Sequence, residues 1–139
     1  MQYSVQSNHL HLIAEASDNR ALSRGMLGLS VRVARALNQL WKRSGSVFAD
    51  RFHSRLLKTP REVRNALVYV LQNARKHAAA ISLGPDPFSS GPWFDGWKSG
   101  VEKGADSSLG FLARAKTWLL GVGWRRHGLI DPRELPAST

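Results

Sequence analysis

The start of the chain alternates between apolar and polar positions as a strand does. From His9 to Ala14 the sequence reads His-Leu-His-Leu-Ile-Ala, and no helix-start signal precedes it. Successive side chains of a strand point to opposite faces, so a period of two places alternate residues on one side. The pattern predicts a strand over about residues 9–15.

A long helical pattern follows this strand. Ser17, Asp18 and Asn19 are N-cap candidates, and apolar residues then recur every three or four positions to about Lys42. We expect one amphipathic helix with a buried stripe. Two glycines in it would allow another backbone to approach closely, although each weakens the helix by up to about 1 kcal/mol relative to alanine. The stripe consists of Leu22, Met26, Leu29, Val33, Leu37 and Leu40, and the glycines are Gly25 and Gly28.

The second helix has the clearest start signal in the chain. Residues 43–46 predict a turn, and residues 47–58 predict an extended segment, as a strand or a hairpin. Thr59 as the N-cap, Pro60 at the first helical position and Glu62 at the third then form a capping box. The box predicts a helix that runs to about residue 79. Its core face consists of Val63, Ala66, Leu67, Val70 and Leu71.

The composition changes after this helix. Residues 82–108 are rich in Gly, Pro, Ser and Asp, yet they hold four aromatic side chains, at Phe88, Trp93, Phe94 and Trp97. A plain linker would not carry so many aromatics. We therefore expect the loop to lie on the domain surface, with the two tryptophans anchoring it.

The remainder of the chain is predicted to be less regular. A short helix is expected over residues 108–120, and the final residues are expected to be frayed. The sequence thus predicts a core, residues 1–80, and an irregular, partly helical C-terminal extension, residues 81–139.

Charge narrows the class of partner. The 139 residues carry a formal net charge of +10 and a pI near 11.1. Residues 1–79 hold 13 Lys and Arg against 4 Asp and Glu, whereas residues 80–139 hold 7 against 6. The positive field therefore belongs to the first part of the chain, where it would attract a polyanion such as a nucleic acid. A solvated basic surface that only keeps the protein soluble is the alternative.

Other properties exclude several classes of protein. The chain has no cysteine, so neither a disulfide framework nor a zinc–thiolate site is available. We find no secretory signal at its start and no apolar run near the roughly 18 residues needed to span a bilayer. A cytoplasmic, nucleoid-associated protein with no membrane partner is the expectation.

Two pairs of side chains could carry chemistry. His9 and His11 would lie on one face of the predicted strand, where two imidazoles can bind one divalent cation. Tyr69 and Asn73 are four residues apart and so share a face of the second helix, with Gln72 beside them. Each pair also has an ordinary explanation, as incidental histidines near a strand and as a tyrosine that packs at the edge of the core.

Taken in order, these motifs resemble a known family. Residues 3–13, with the His-Leu-His of His9 to His11, look like the metal-binding strand of single-tyrosine HUH transposases, in which HUH means His-hydrophobe-His. Residues 44–54 are similar to the Gly, aromatic and Arg-Phe pattern of the branch called REP-associated tyrosine transposases. Residues 69–75 lie where that branch has its nucleophile helix. The resemblance covers residues 3–80 well and the tail loosely.

The resemblance implies an α+β fold, namely a truncated ferredoxin-like HUH fold with an antiparallel sheet and helices on one face. It implies metal-dependent nicking and joining of single-stranded DNA, in which Tyr69 attacks and forms a 5′-phosphotyrosine. His9 and His11, with Asn73 or Gln72, would hold Mg²⁺ or Mn²⁺. The partner would be hairpin-forming DNA, whose backbone would lie along Arg24, Arg32, Arg35, Arg51, Arg55, Arg64 and Arg75.

The pattern departs from the family at the start of the chain. The family has a strand, a helix and a further strand before the histidine strand, whereas His9 comes within the first ten residues here. Either the chain is N-terminally truncated or a partner chain completes the sheet, as in a homodimer. An inactive fragment that only binds DNA or RNA hairpins is therefore the alternative function.

Overall fold

The computed structural model describes residues 1–77, 84–98, 101 and 112–137, and the side chains of the same residues except 74–77. These residues form a small α+β fold, which confirms the predicted class; the ferredoxin-like arrangement stays a prediction. The described elements, in chain order, are strands β1 (Gln2–Val5) and β2 (Leu10–Ile13), helices α1 (Asn19–Leu40) and α2 (Pro60–His77), a 3-10 turn (Gly91–Trp93), helix α3 (Trp118–Gly121) and a 3-10 helix (Gly123–His127).

The chain divides into two compact units. One unit contains residues 1–15 and 57–139, and the other contains residues 16–56. The described part of the C-terminal region therefore belongs to the same unit as α2 and the strands. The expected boundary at residue 80 does not coincide with this division.

The two strands form an antiparallel hairpin. Ser4 lies opposite His11 in its register, and Val5 lies opposite Leu10. The predicted strand is thus confirmed over Leu10–Ile13, and its partner is the segment just before it. The outer edge of β1 is covered by the aromatic loop, because Val5 N donates to Phe88 O (2.8 Å) and Ser90 N donates to Tyr3 O (2.9 Å).

Helix α1 begins where the N-cap signal places it. The Asp18 carboxylate accepts a hydrogen bond from Ala21 N at 2.7 Å, and the helix ends at Leu40, two residues before the predicted end. None of its residues is buried. A Cβ added at Gly25 or Gly28 would meet nothing within 4 Å, so the close backbone approach expected there is not found among the described residues.

Residues 47–58 were predicted to be extended, as a strand or hairpin, and they form no strand in the structure. Phe48 and Phe52 are about two-fifths exposed, and Leu56 is 75% exposed. A strand is stabilised by hydrogen bonds and cross-strand contacts to a neighbour, and this segment has no neighbouring strand among the described residues.

Helix α2 begins with the predicted capping box. Glu62 N donates to Thr59 Oγ1 (3.2 Å), and the Glu62 carboxylate accepts from Thr59 N (3.0 Å) and Lys58 N (2.8 Å). Each side chain of the box therefore accepts a hydrogen bond from the backbone N–H of the other residue, and these donors at the helix start are satisfied. The helix is described to His77, and the last two predicted residues lie outside the described part.

The core lies on the predicted face of α2. Four of the five expected residues are buried, and Ala66 is half-buried against them. The other buried apolar side chains come from β2, from the aromatic loop and from the end of the chain. The core cluster consists of Ile13, Val63, Leu67, Val68, Val70, Leu71, Phe94, Trp124 and Ile130.

The C-terminal region is more ordered than the sequence predicts. Ile130 is fully buried, and its backbone pairs with the aromatic loop through Ile130 N to Gly96 O (3.0 Å) and Lys98 N to Ile130 O (2.7 Å). The prediction of a frayed end is wrong for the described residues up to 137, because Pro136 is buried and Glu134 forms an ion pair with Arg64.

The predicted helix over residues 108–120 is also corrected. Residues 112–117 are not helical, and α3 covers only Trp118–Gly121, with Thr117 as its N-cap. Residues 102–111 lie outside the described part.

Across the described helices, none is long and apolar enough to cross a membrane.

Candidate functional site

The histidine pair lies at the start of β2. The His9 and His11 rings meet edge to face, with centroids 4.7 Å apart. Two residues apart on an extended backbone, both imidazoles project to one face of the hairpin. The two rings therefore lie together, as the sequence predicts; their binding of one cation stays a prediction.

Helix α2 contacts both strands and brings Tyr69 to the same place. The Tyr69 ring meets the His11 ring edge to face, with centroids 5.0 Å apart. Tyr69 is 37% exposed, so it stands at the rim of the site and not in the core. The predicted nucleophile Tyr69 and the predicted metal ligand His11, 58 positions apart in the sequence, are thus direct neighbours.

Asn73 lies one turn after Tyr69 on α2 and is 1% exposed. Neither its Oδ1 nor its Nδ2 atom has a hydrogen-bond partner among the described residues, and the same holds for Nε2 of His11. A buried polar atom without a partner costs about 1–3 kcal/mol. Such atoms in a native fold call for an explanation, and an absent ligand is one of the standard ones.

Gln72, the alternative third ligand, has a different environment. It is also 1% exposed, but its Nε2 donates to the carbonyl oxygens of Asp131 (3.1 Å) and Pro132 (2.9 Å). Its amide nitrogen fastens the C-terminal segment to α2. Of the two predicted amides, Gln72 therefore has hydrogen-bond partners for its nitrogen among the described residues, whereas Asn73 has none.

The electrostatics of the pair suit a ligand with positive charge. Burial lowers the pKa of His11, and the neighbouring His9 lowers it further. A lowered pKa favours the neutral imidazole, which keeps a lone pair on one nitrogen. His9 Nδ1 lies 2.6 Å from Oδ1 of Asn8, a residue that the sequence reasoning did not single out. An amide next to the first histidine was the signal that could have found it.

The donor set fits a divalent cation. No group of three or more His, Cys, Asp or Glu forms among the described residues, and the predicted ligands are instead two imidazoles and an amide. Both kinds of group bind divalent metals when neutral. The unpartnered Nε2 of His11 and Oδ1 of Asn73 are the atoms that a cation would satisfy.

One of the predicted DNA-binding arginines has another partner. Arg64 makes a two-pronged ion pair with Glu134, at 2.7 and 2.8 Å, and donates to the carbonyl oxygens of Gly128 and Leu129. Hydrogen bonding to Glu134 raises the pKa of Arg64. This guanidinium holds the C-terminal segment and is not free to bind phosphate.

The other predicted arginines are distributed over the two units. Arg75 belongs to α2, and its side chain lies outside the described part. The remaining five have exposed side chains and all belong to the unit of residues 16–56. They are Arg24, Arg32, Arg35, Arg51 and Arg55.

The aromatic residues of the C-terminal region serve mainly the fold. Phe94 stacks on Trp124 with ring centroids 5.7 Å apart, and Trp97 Nε1 donates to Gly91 O at 2.9 Å. Trp97 therefore anchors its loop, as expected. Arg125 pairs with Asp95 at 2.8 Å, which leaves less of its charge for an external phosphate.

Comparison of the chain with protein-family models, with curated proteins and with solved structures finds no match.

Proposed function

We propose that this protein nicks and joins single-stranded DNA through a covalent tyrosine intermediate, as the single-tyrosine HUH transposases do. The observation that carries the proposal is the contact of the His11 ring with both the His9 ring and the Tyr69 ring. Asn73, one helical turn after Tyr69 on α2, is buried, and its amide has no partner among the described residues.

Tyr69 is the proposed nucleophile. Its phenolic oxygen forms a bond to the phosphorus of the scissile phosphate, and the bond from phosphorus to the departing 3′ oxygen breaks. The phenol proton passes to solvent, and the departing oxygen takes up a proton to become a 3′-hydroxyl. The resulting 5′-phosphotyrosine keeps the bond energy, so joining to another 3′ end needs no nucleotide cofactor.

His9, His11 and Asn73 are the proposed metal ligands. A divalent cation, when bound, would neutralise charge on the non-bridging phosphate oxygens and orient the phosphate. Two of the three donors are imidazoles, and Mg²⁺ prefers oxygen donors. Of the two ions that the resemblance implies, this donor set favours Mn²⁺.

The DNA backbone is proposed to bind the unit of residues 16–56. That unit holds eight Lys and Arg against two Asp, with exposed arginines on α1. The affinity of such a surface for phosphates falls steeply with salt. The slope of the logarithm of the binding constant against the logarithm of the salt concentration is about 0.7 in magnitude for each contact with a single strand. Arg35→Ala should lower the slope by about that amount.

The test is a covalent-adduct assay with the full chain. End-labelled single-stranded hairpins are incubated with Mn²⁺ and run on a denaturing gel, with and without a chelator. The chain has only two tyrosines, Tyr3 and Tyr69, so Tyr3→Phe is a matched control. We expect a chelator-sensitive adduct in wild type and in Tyr3→Phe, and none in Tyr69→Phe, whose hairpin affinity should be nearly unchanged. An adduct that survives in Tyr69→Phe would overturn the assignment.

The alternative is a fragment that binds hairpins without cutting them. It is favoured by the small sheet, which has two strands among the described residues. Binding with no adduct, in a protein shown to be folded, would support this alternative. Equal affinity for DNA and RNA hairpins of one sequence would extend it to RNA.

A further inference from the structure

The turn between the two strands contains Asn8, a residue without a role in the proposed function. Gln6 N donates to His9 O at 2.9 Å and closes the hairpin, with Ser7 and Asn8 at its tip. The Asn8 side chain turns back on its neighbour, and its Oδ1 lies 2.6 Å from His9 Nδ1. The turn thus places one hydrogen-bond acceptor directly against one particular nitrogen of the imidazole.

The two atoms in this contact bear on which ring nitrogen of His9 carries the hydrogen. An amide oxygen only accepts hydrogen bonds, so the contact is a hydrogen bond when Nδ1 of His9 carries the hydrogen. In a neutral imidazole the other nitrogen, Nε2, then has the free lone pair. Free histidine in water prefers the opposite arrangement, with the proton on Nε2. A hydrogen bond to Oδ1 of Asn8 would therefore reverse the intrinsic preference of the ring.

The free nitrogen of His9 matches that of its partner. Nε2 of His11 is buried and has no hydrogen-bond partner among the described residues. With His9 held by its Nδ1, both rings would offer the same atom, Nε2, from side chains on one face. A histidine that binds a metal usually donates its other N–H to a nearby oxygen, which fixes both the tautomer and the ring orientation.

We infer that Asn8 is a positioning residue, which sets the Nδ1–H tautomer of His9 and aims its Nε2 into the site. The inference rests on the proposed function for its purpose, but the tautomer itself is a property of the metal-free protein. Asn8 would not touch DNA or metal. Its action would be exerted through His9 alone.

The first test measures the tautomer directly. In metal-free, ¹⁵N-labelled protein at alkaline pH, a long-range proton–nitrogen correlation spectrum distinguishes protonated from unprotonated ring nitrogens. Wild type and Ser7→Ala, the control at the other tip residue, should show His9 protonated at Nδ1. Asn8→Ala should move the proton largely to Nε2, and Asn8→Asp, which keeps an acceptor oxygen, should restore Nδ1–H. An unchanged His9 tautomer in Asn8→Ala would overturn the inference.

The second test measures Mn²⁺ affinity by calorimetry on the same variants. Loss of an outer partner of this kind typically weakens metal binding by about 10–100-fold, and we expect that loss in Asn8→Ala and recovery in Asn8→Asp. Full Mn²⁺ affinity in Asn8→Ala would contradict the positioning role. If wild type itself fails to bind Mn²⁺, the proposed function fails, whereas the tautomer measurement still decides the role of Asn8.

Discussion

Replacing Asn73 by leucine should make the metal-free protein more stable while it removes metal binding. Leucine has nearly the shape of asparagine, so the substitution changes polarity and leaves the packing largely intact. Asn73 is 1% exposed, and neither side-chain polar atom has a partner among the described residues. The desolvation penalty of an unsatisfied buried group is about 1–3 kcal/mol, and Asn73→Leu should raise the free energy of unfolding by about that amount.

The neighbouring Gln72 provides a matched control of opposite sign. It is equally buried, but its amide nitrogen makes two hydrogen bonds, to the carbonyl oxygens of Asp131 and Pro132. Gln72→Met keeps the length of the side chain and removes both bonds. At about 1 kcal/mol for each bond, this variant should lose about 2 kcal/mol of stability.

Urea denaturation of the metal-free proteins in a chelator measures both changes. Tryptophan fluorescence reports mainly on the unit that contains both amides, because four of the chain's five tryptophans, among them the buried Trp124, belong to it. Calorimetry then measures Mn²⁺ affinity, which should fall at least about tenfold in Asn73→Leu and stay within a few-fold of wild type in Gln72→Met. If Asn73→Leu is destabilised as much as Gln72→Met, the Asn73 amide has a structural partner in the folded protein, and the argument for a ligand site there is refuted.

Three further outcomes follow from the contacts of the described unit. Gly96→Ala should lose about 3 kcal/mol in urea denaturation, because its Cβ would lie 2.4–2.7 Å from two aromatic rings, while Gly121→Ala, with its nearest neighbour at 3.8 Å, should be nearly neutral; equal stabilities would contradict this. Glu134→Gln should lose about 1–2 kcal/mol of stability, because it loses the charge of the half-buried ion pair with Arg64. A difference from wild type that disappears in 1 M salt would contradict this. Burial raises the pKa of Glu15, but hydrogen bonds from Thr117 and the backbone outweigh this and leave its pKa below the ordinary value of 4.5. The stabilisation by ionised Glu15 is therefore present above that pH and is lost as the pH falls. In acid titrations Glu15→Gln should lose less stability below pH 4.5 than wild type does, and an unchanged slope would refute the contact.

Local signals in the sequence determined the helix starts. The Asp18 cap and the Thr59–Glu62 box form as predicted, because their hydrogen bonds join residues at most three positions apart and need no other part of the chain. The core face of α2 was also predictable, since helical periodicity alone selects which side chains share one side.

The sequence also indicated which residues could form a site, but not their arrangement. His9 and His11 share a face by strand geometry, and Tyr69 and Asn73 share one by helix geometry. That the two faces meet depends on the packing of α2 against the hairpin. The difference between Gln72 and Asn73, adjacent and equally buried, arises only because the C-terminal segment supplies carbonyl oxygens to one of them.

Only the tertiary structure decided the role of the chain's last third. Its composition indicates a loop and a frayed end, yet Phe94, Trp124 and Ile130 complete the core, and Glu134 binds Arg64 some 70 positions away. Burial of an apolar side chain depends on what surrounds it in space, and no local pattern records a partner so distant in sequence. For the same reason residues 47–58 have strand-like composition and form no strand, because no neighbouring strand lies beside them in the described structure.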